Sequence, residues 1–193
     1  MNDDIKSAIE TLKNGGVGIF PTDTVFGIGC RLDDIESIKR LFKIRNRPNE
    51  KAVLAVVDSI DMAQKYLLPI PSDVKEKLMD KYWPGGLTIV LPCDTKMVPS
   101  VARGGGLTLG VRQTNHPVLL KILKEVKVPI CAPSANFAGG ITPKTFDEID
   151  NNLIKLVDFA IDMPCGGNMP STVIDCSVSP WKILRQGAVN TRI

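Results

Sequence analysis

The chain has 193 residues, 44% of them hydrophobic and 23% charged, a globular composition that excludes a disordered, collagenous or coiled-coil chain. At this length a fold can bury roughly 70% of the surface its unfolded chain exposes, so no staple is needed. Lys plus Arg number 24 against 21 Asp plus Glu, a net +3, too small a surplus to argue for nucleic-acid binding from total charge; a basic site has to be local.

Ile5, Ala8, Ile9 and Leu12 recur on one helical face, with Asp3 and Asp4 complementing the dipole and Asn14-Gly15-Gly16 as the stop, which predicts a first helix. Val17 to Phe20 is a short apolar run ending at Pro21, the pattern of a buried strand that delivers Thr22, Asp23 and Thr24 into a turn. Asp33 followed by Glu36 is a capping-box pattern, opening a helix through Ile35, Ile38, Leu41 and Phe42 that must end before Pro48. Ala52 to Val57 predicts another strand, and Met62 to Leu67 and Ser72 to Tyr82 two helical stretches. Trp83-Pro84-Gly85-Gly86 breaks the second before a strand at Leu87 to Leu91. Leu107 to Val111 then predicts a strand, Val118 to Val126 a helix, and Ile130 to Ala132 a strand. Phe159 to Ile161, Thr172 to Asp175 and Lys182 to Leu184 read as short later strands. With helices and strands interleaved and no linker or repeat, residues 1–193 are expected to form one α/β (α+β) domain. Its twisted sheet would be covered by helices, with antiparallel pairs where connections are too short for a crossover.

Cys30, Cys93, Cys131, Cys165 and Cys176 form no C-x-x-C pair and His116 is the sole histidine, so no zinc-site spacing can be assembled and no metal site is expected. The odd, scattered thiols read as small buried hydrophobes in a reducing compartment. No run of about 18 apolar residues occurs, which predicts a soluble cytoplasmic protein with no membrane partner.

The strongest anomaly is Lys39 to Lys51, where Lys39, Arg40, Lys43, Arg45, Arg47 and Lys51 face only Glu50, a local +5 that leaves −2 for the rest. Lys39, Arg40 and Lys43 suit solvated positions near a helix C-terminus. Arg45 and Arg47 lie beyond the apolar periodicity, in Arg45-Asn46-Arg47-Pro48, where two guanidiniums from one loop can grip a polyphosphate or carboxylate through paired donors. Ser134 and Asn136 follow a strand directly, where ligands gather in open sheets, although an ordinary Ser/Asn turn reads the same way. Thr22 and Thr24 are equally open between gripping a small polar substrate and capping a turn. No P-loop or G-x-G-x-x-G occurs, and no Ser/His/Asp or carboxylate pair stands at a recognisable spacing.

Seven segments in order complete the pattern: Pro21-Thr22-Asp23-Thr24-Val25-Phe26-Gly27, Arg45-Asn46-Arg47-Pro48, Trp83-Pro84-Gly85, Gly110-Val111-Arg112 with His116-Pro117, Pro133-Ser134-Ala135-Asn136, Pro170-Ser171-Thr172-Val173-Ile174-Asp175, and Leu184-Arg185-Gln186-Gly187. In this order and spacing the sequence resembles the YrdC family of threonylcarbamoyl-AMP synthases, in its short single-domain form. The resemblance implies a YrdC/RibB-like twisted mixed sheet, flanked by helices, around a large basic cavity for L-threonine and ATP. It also implies a nucleotidyltransferase that joins threonine, bicarbonate or CO2, and ATP into threonylcarbamoyl-adenylate and pyrophosphate, with Mg2+ carried by ATP. The product would pass to the tRNA threonylcarbamoyl transferase machinery. On that basis Arg45 and Arg47 are assigned to the triphosphate or the threonyl carboxylate, and Ser134 and Asn136 to nucleotide phosphate and ribose. Thr22 and Thr24 would line the threonine pocket, while Lys51, Arg112, Ser171 and Arg185 complete the basic cavity on the nucleotide side. Arg45 stands where the family usually has Lys, keeping the charge but replacing a compact ammonium with a planar fork. The alternative reading is an RNA-binding or regulatory protein of the same fold, with weak RNA affinity and no synthase activity.

Overall fold

The computed structural model describes residues 3–48 and 51–191. Its first helix, α1 (Asp3–Lys13), buries Ile5, Ala8, Ile9 and Leu12, and β1 (Gly18–Phe20) follows. A strand that the sequence did not predict, β2 (Gly27–Arg31), then pairs antiparallel with β1. Its glycines hide it from β-propensity, yet packing demands one of them: a Cβ on Gly29 would lie 1.9 Å from the Cys131 carbonyl oxygen.

Helix α2 (Ile35–Ile44) buries Ile38, Leu41, Phe42 and Ile44. Its N-cap is Asp34, whose carboxylate accepts from the Ser37 amide at 3.0 Å and the Ser37 hydroxyl at 2.7 Å. The expected Asp33–Glu36 box is therefore replaced: Asp33 pairs with Arg31 through two hydrogen bonds of 2.9 and 2.7 Å, and that bidentate contact outcompetes capping. Next come β3 (Leu54–Val57) and α3 (Ile60–Gln64). The expected helix over Ser72 to Tyr82 forms as α4 (Ser72–Val74), a π turn (Lys75–Met79) and α5 (Asp80–Tyr82).

Strands β4 (Leu87–Pro92) and β5 (Thr108–Gln113) precede α6 (Pro117–Val126), which has proline in its first turn. After β6 (Ile130–Cys131), a short 3-10 turn (Phe146–Glu148) and α7 (Asn151–Ile154) fill a stretch that the sequence left unassigned. The last strands are β7 (Phe159–Ala160), β8 (Thr172–Asp175) and β9 (Lys182–Arg185).

The strands form one mixed sheet in the order β7-β1-β2-β6-β3-β5-β4-β8-β9. β1/β7, β3/β5 and β4/β8 run parallel; the other neighbours are antiparallel. Helix α1 packs against α6, and α2 against β2. Ile89, Val111 and Ile174 are buried at 1% exposure or less, and their alternate neighbours point to the opposite face of the sheet. That opposite face carries the cavity.

Candidate active site

The cavity, about 420 Å³, takes its floor from the sheet register. Leu54 lies opposite Gly110, Gly110 opposite Val90, and Val90 opposite Asp175, one row across β3, β5, β4 and β8. Two residues along, and so on the same face about 7 Å away, stand Arg112, Thr88, Val173 and Arg185, with Thr88 opposite Val173 and Val173 opposite Arg185. All eight residues line the cavity.

The walls come from connections at strand and helix ends. Arg45 caps the C-terminus of α2, and its amide bonds the Leu41 carbonyl. Its guanidinium donates from Nε to the Asn136 carbonyl oxygen at 2.9 Å and from Nη2 to Asn136 Oδ1 at 3.1 Å, while Nη1 is buried without a partner. Asn46 adopts φ 51°, turning the chain so that Arg47 also reaches the cavity. Arg47 donates from Nη2 to the Ala52 carbonyl at 2.6 Å, lies 6.0 Å from the centre of the Phe42 ring, and keeps a buried, unpartnered Nε. Burial, then the nearby Arg47 charge, lowers Arg45 to about 10; burial also lowers Arg47. Both are cationic at neutral pH, desolvated, and short of acceptors.

Hydroxyl bookkeeping shows which oxygens remain for a ligand. Thr22 Oγ1 donates to the Val25 carbonyl at 2.7 Å and accepts from the Thr24 amide at 3.0 Å. With its one proton committed, its 3.0 Å contact with Thr24 Oγ1 requires Thr24 to donate. Thr22 is thereby saturated, whereas Thr24 retains acceptor capacity. Ser134 Oγ donates to Asn136 Oδ1 at 2.7 Å, leaving its lone pairs for a donor. Ser171 accepts from Arg185 Nη2 at 3.1 Å and pairs with Thr88 Oγ1 at 2.8 Å. Burial, then the Arg112 charge, lowers Arg185. Arg112 is 2% exposed, and its Nη1 lies 2.7 Å from Oδ1 of Asp23. The same oxygen accepts from the Thr114 hydroxyl.

Eight sequence-assigned residues therefore line one cavity: Thr22, Thr24, Arg45, Arg47, Arg112, Ser134, Ser171 and Arg185. Asn136 lies behind this lining, where it receives Arg45 and Ser134 and donates to the Gly140 carbonyl at 2.6 Å. Lys51 is exposed and not part of the lining, and Glu50 lies outside the described residues. The basic run dissolves further: Lys39 pairs with Glu36 at 2.7 Å, and Arg40 with Asp158. The candidate list lacked Thr88, Thr108 and Asp175 in the lining, and Asp23 beneath it. Polar residues alternating with apolar ones in predicted strands were the available signal.

A family model described as Telomere recombination (Sua5/YciO/YrdC) matches residues 10–187. A protein of Pseudoalteromonas translucida named threonylcarbamoyl-AMP synthase is 33% identical over 174 residues, covering 89% of this chain and 92% of its own. A Bacillus subtilis protein of the same name is 30% identical over 186 residues, 96% of this chain but 54% of its own, so the chain spans about half of that relative. Among solved structures, Pyrococcus abyssi Sua5 complexed with L-threonine superposes with TM-score 0.89 at 32% identity, covering 95% of this chain and 54% of that one. The Escherichia coli YciO structure gives TM-score 0.85 at 26% identity, covering 96% and 90%. With the match running through nearly all of its length, the chain belongs to the Sua5/YciO/YrdC family.

Proposed function

We propose that this chain synthesises threonylcarbamoyl-adenylate, a nucleotidyl transfer from ATP to the carbamate of L-threonine. The observation that carries the reading is the convergence of Arg45, Arg47, Arg112 and Arg185, from three separate segments, on a cavity whose described lining holds a single carboxylate. Such a site favours a polyanion beside a carboxylate-bearing small molecule. The relatives named threonylcarbamoyl-AMP synthase and the threonine-bound relative support L-threonine as that small molecule.

In this reading the threonine amine adds to CO2, drawn from bicarbonate, and loses a proton to become a carbamate. A carbamate oxygen then attacks the α-phosphorus, and pyrophosphate leaves. No side chain need form a covalent bond; rate comes from positioning and from fixed positive charge at the developing anions. Arg45 and Arg47, both short of acceptors, would hold the triphosphate, with Ser134 accepting a donor close by. Asn136 would act through Arg45 and Ser134, as its hydrogen bonds suit. Thr24 offers the acceptor facing threonine, and Arg112, Ser171 and Arg185 complete the charge complement. Mg2+ enters as part of the nucleotide. The labile mixed anhydride suits prompt transfer to tRNA by a downstream enzyme.

Pyrophosphate release by the purified chain, followed with each substrate omitted in turn, tests this. Release is expected only with threonine, bicarbonate and ATP together, and serine is expected to be poorer by about 1–3 kcal/mol, the worth of one methyl in a pocket. Release that does not depend on threonine would overturn the reading.

A further inference from the structure

The cavity floor carries one group that this chemistry has not used. Asp175 is the only carboxylate in the described lining, at the end of β8 and directly across from Val90. Its Oδ1 accepts from the Ser177 amide at 2.9 Å and from the Ser177 hydroxyl at 2.6 Å. Those contacts fix the carboxyl group and leave Oδ2 as its uncommitted acceptor. None of the lining arginines neutralises it: Arg185 bonds Ser171, Arg112 faces Asp23, Arg45 holds Asn136 and Arg47 holds Ala52.

Building on the ATP reading above, we propose that Asp175 is a specificity-determining residue whose carboxylate accepts the ribose hydroxyls of the nucleotide. Like charges repel, and more strongly in a partly desolvated cavity than in bulk water. The triphosphate is therefore driven away from Asp175 and toward Arg45 and Arg47, and Asp175 is left with the uncharged donors of the nucleoside. These are the ribose hydroxyls and the base N–H groups. A carboxylate at the base edge suits guanine, with its adjacent N–H donors, better than adenine with its single amino group. The vicinal diol is the donor pair consistent with ATP, and acidic side chains take ribose hydroxyls in the same way at other nucleotide sites.

The floor leaves room for this placement. A Cβ on Gly110 would sit 3.4 Å from Thr88 Cγ2, 3.6 Å from Val90 Cγ2 and 3.9 Å from Leu54 Cβ. These are ordinary contacts, so packing does not forbid a side chain here, and glycine keeps the floor open. The gap lies two strands, about 10 Å, from Asp175. A sugar over Val90 would leave the gap to the base.

The test compares ATP, 2′-deoxyATP and 3′-deoxyATP with the wild type, Asp175→Ala and Asp175→Asn, by pyrophosphate release and by calorimetric titration. Wild type is expected to use and bind at least one deoxy analogue about tenfold less well than ATP, the weight of one hydrogen bond to a charged group. Both variants are expected to lose about that factor on ATP and to treat the three nucleotides alike. Asp175→Asn preserves the Ser177 turn, so its loss of discrimination is not a folding defect. An active wild type that uses all three equally overturns the role of Asp175 while leaving the synthase reading standing. A variant defect that falls on the KM for threonine, or disappears with excess Mg2+, also overturns it in favour of an ammonium or a metal partner. If no nucleotide releases pyrophosphate, the synthase reading fails, and equal calorimetric affinities would then overturn the role of Asp175 independently.

Discussion

Arg112 and Arg45 line the same cavity at 2% and 3% exposure, but the fold treats their charges differently. Arg112 has a counterion of its own, with Asp23 at 2.7 Å and itself nearly buried. Arg45 is held only by the neutral oxygens of Asn136, has Arg47 rather than a carboxylate nearby, and keeps a buried Nη1 unpartnered. The first arrangement balances its charge within the fold, although Arg112 Nε and Asp23 Oδ2 stay buried without hydrogen-bond partners. The second leaves a desolvation cost standing, and an incoming anion relieves it. One arginine thus has its charge matched within the fold, whereas the other has no counter-charge beside it among the described residues.

Removing the counterion should separate the two most sharply. Asp23→Ala leaves Arg112 buried and unpaired, so urea unfolding is expected to show a loss of about 3–5 kcal/mol. A loss below about 1 kcal/mol would show that the pair is not structural. Arg45→Ala should do the reverse, changing stability by no more than about 1 kcal/mol while lowering pyrophosphate release roughly 10- to 100-fold. Arg47→Ala and Asn136→Ala should each cost at least about tenfold in release, about 1.4 kcal/mol, without unfolding. For Asn136 the loss would arise through Arg45 and Ser134, so Asn136→Ala and Arg45→Ala should be non-additive in a double-mutant cycle.

Alkaline pH probes the same cation through its titration. Folding lowers Arg45 to about 10, so the folded chain holds that proton less tightly than the unfolded chain does. The penalty is full below pH 10 and shrinks as pH rises toward the ordinary arginine value, because the unfolded state then carries the extra proton. Relative to wild type, Arg45→Ala should lack this rise in stability. Anion affinity should fall over the same range, as the cation that receives the anion is lost.

Local chemistry made much of the fold legible. Val118 to Val126 announced α6 through its apolar face, and Thr172 to Asp175 forms β8 over the same residues. β2 was lost because Gly27 and Gly29 are poor strand formers, and the reason for Gly29, the Cys131 backbone against it, lies 102 positions away. At the helix start, Asp33 and Asp34 carry equal capping potential, and Arg31 decides which one caps. For the site, order and spacing of the motifs pointed to eight residues of the lining, but not to Thr88, Thr108 or Asp175. The Arg112–Asp23 pairing, across 89 positions, and the retreat of Asn136 behind Arg45 depend on tertiary geometry that no local pattern encodes.

The central claim is that the uncompensated Arg45–Arg47 corner receives the anionic tail of the nucleotide. Calorimetric titration of inorganic pyrophosphate into wild type and Arg45→Ala at constant salt measures this without requiring turnover. The account predicts binding at least about tenfold weaker in the variant, and equal affinity in the two proteins would contradict it.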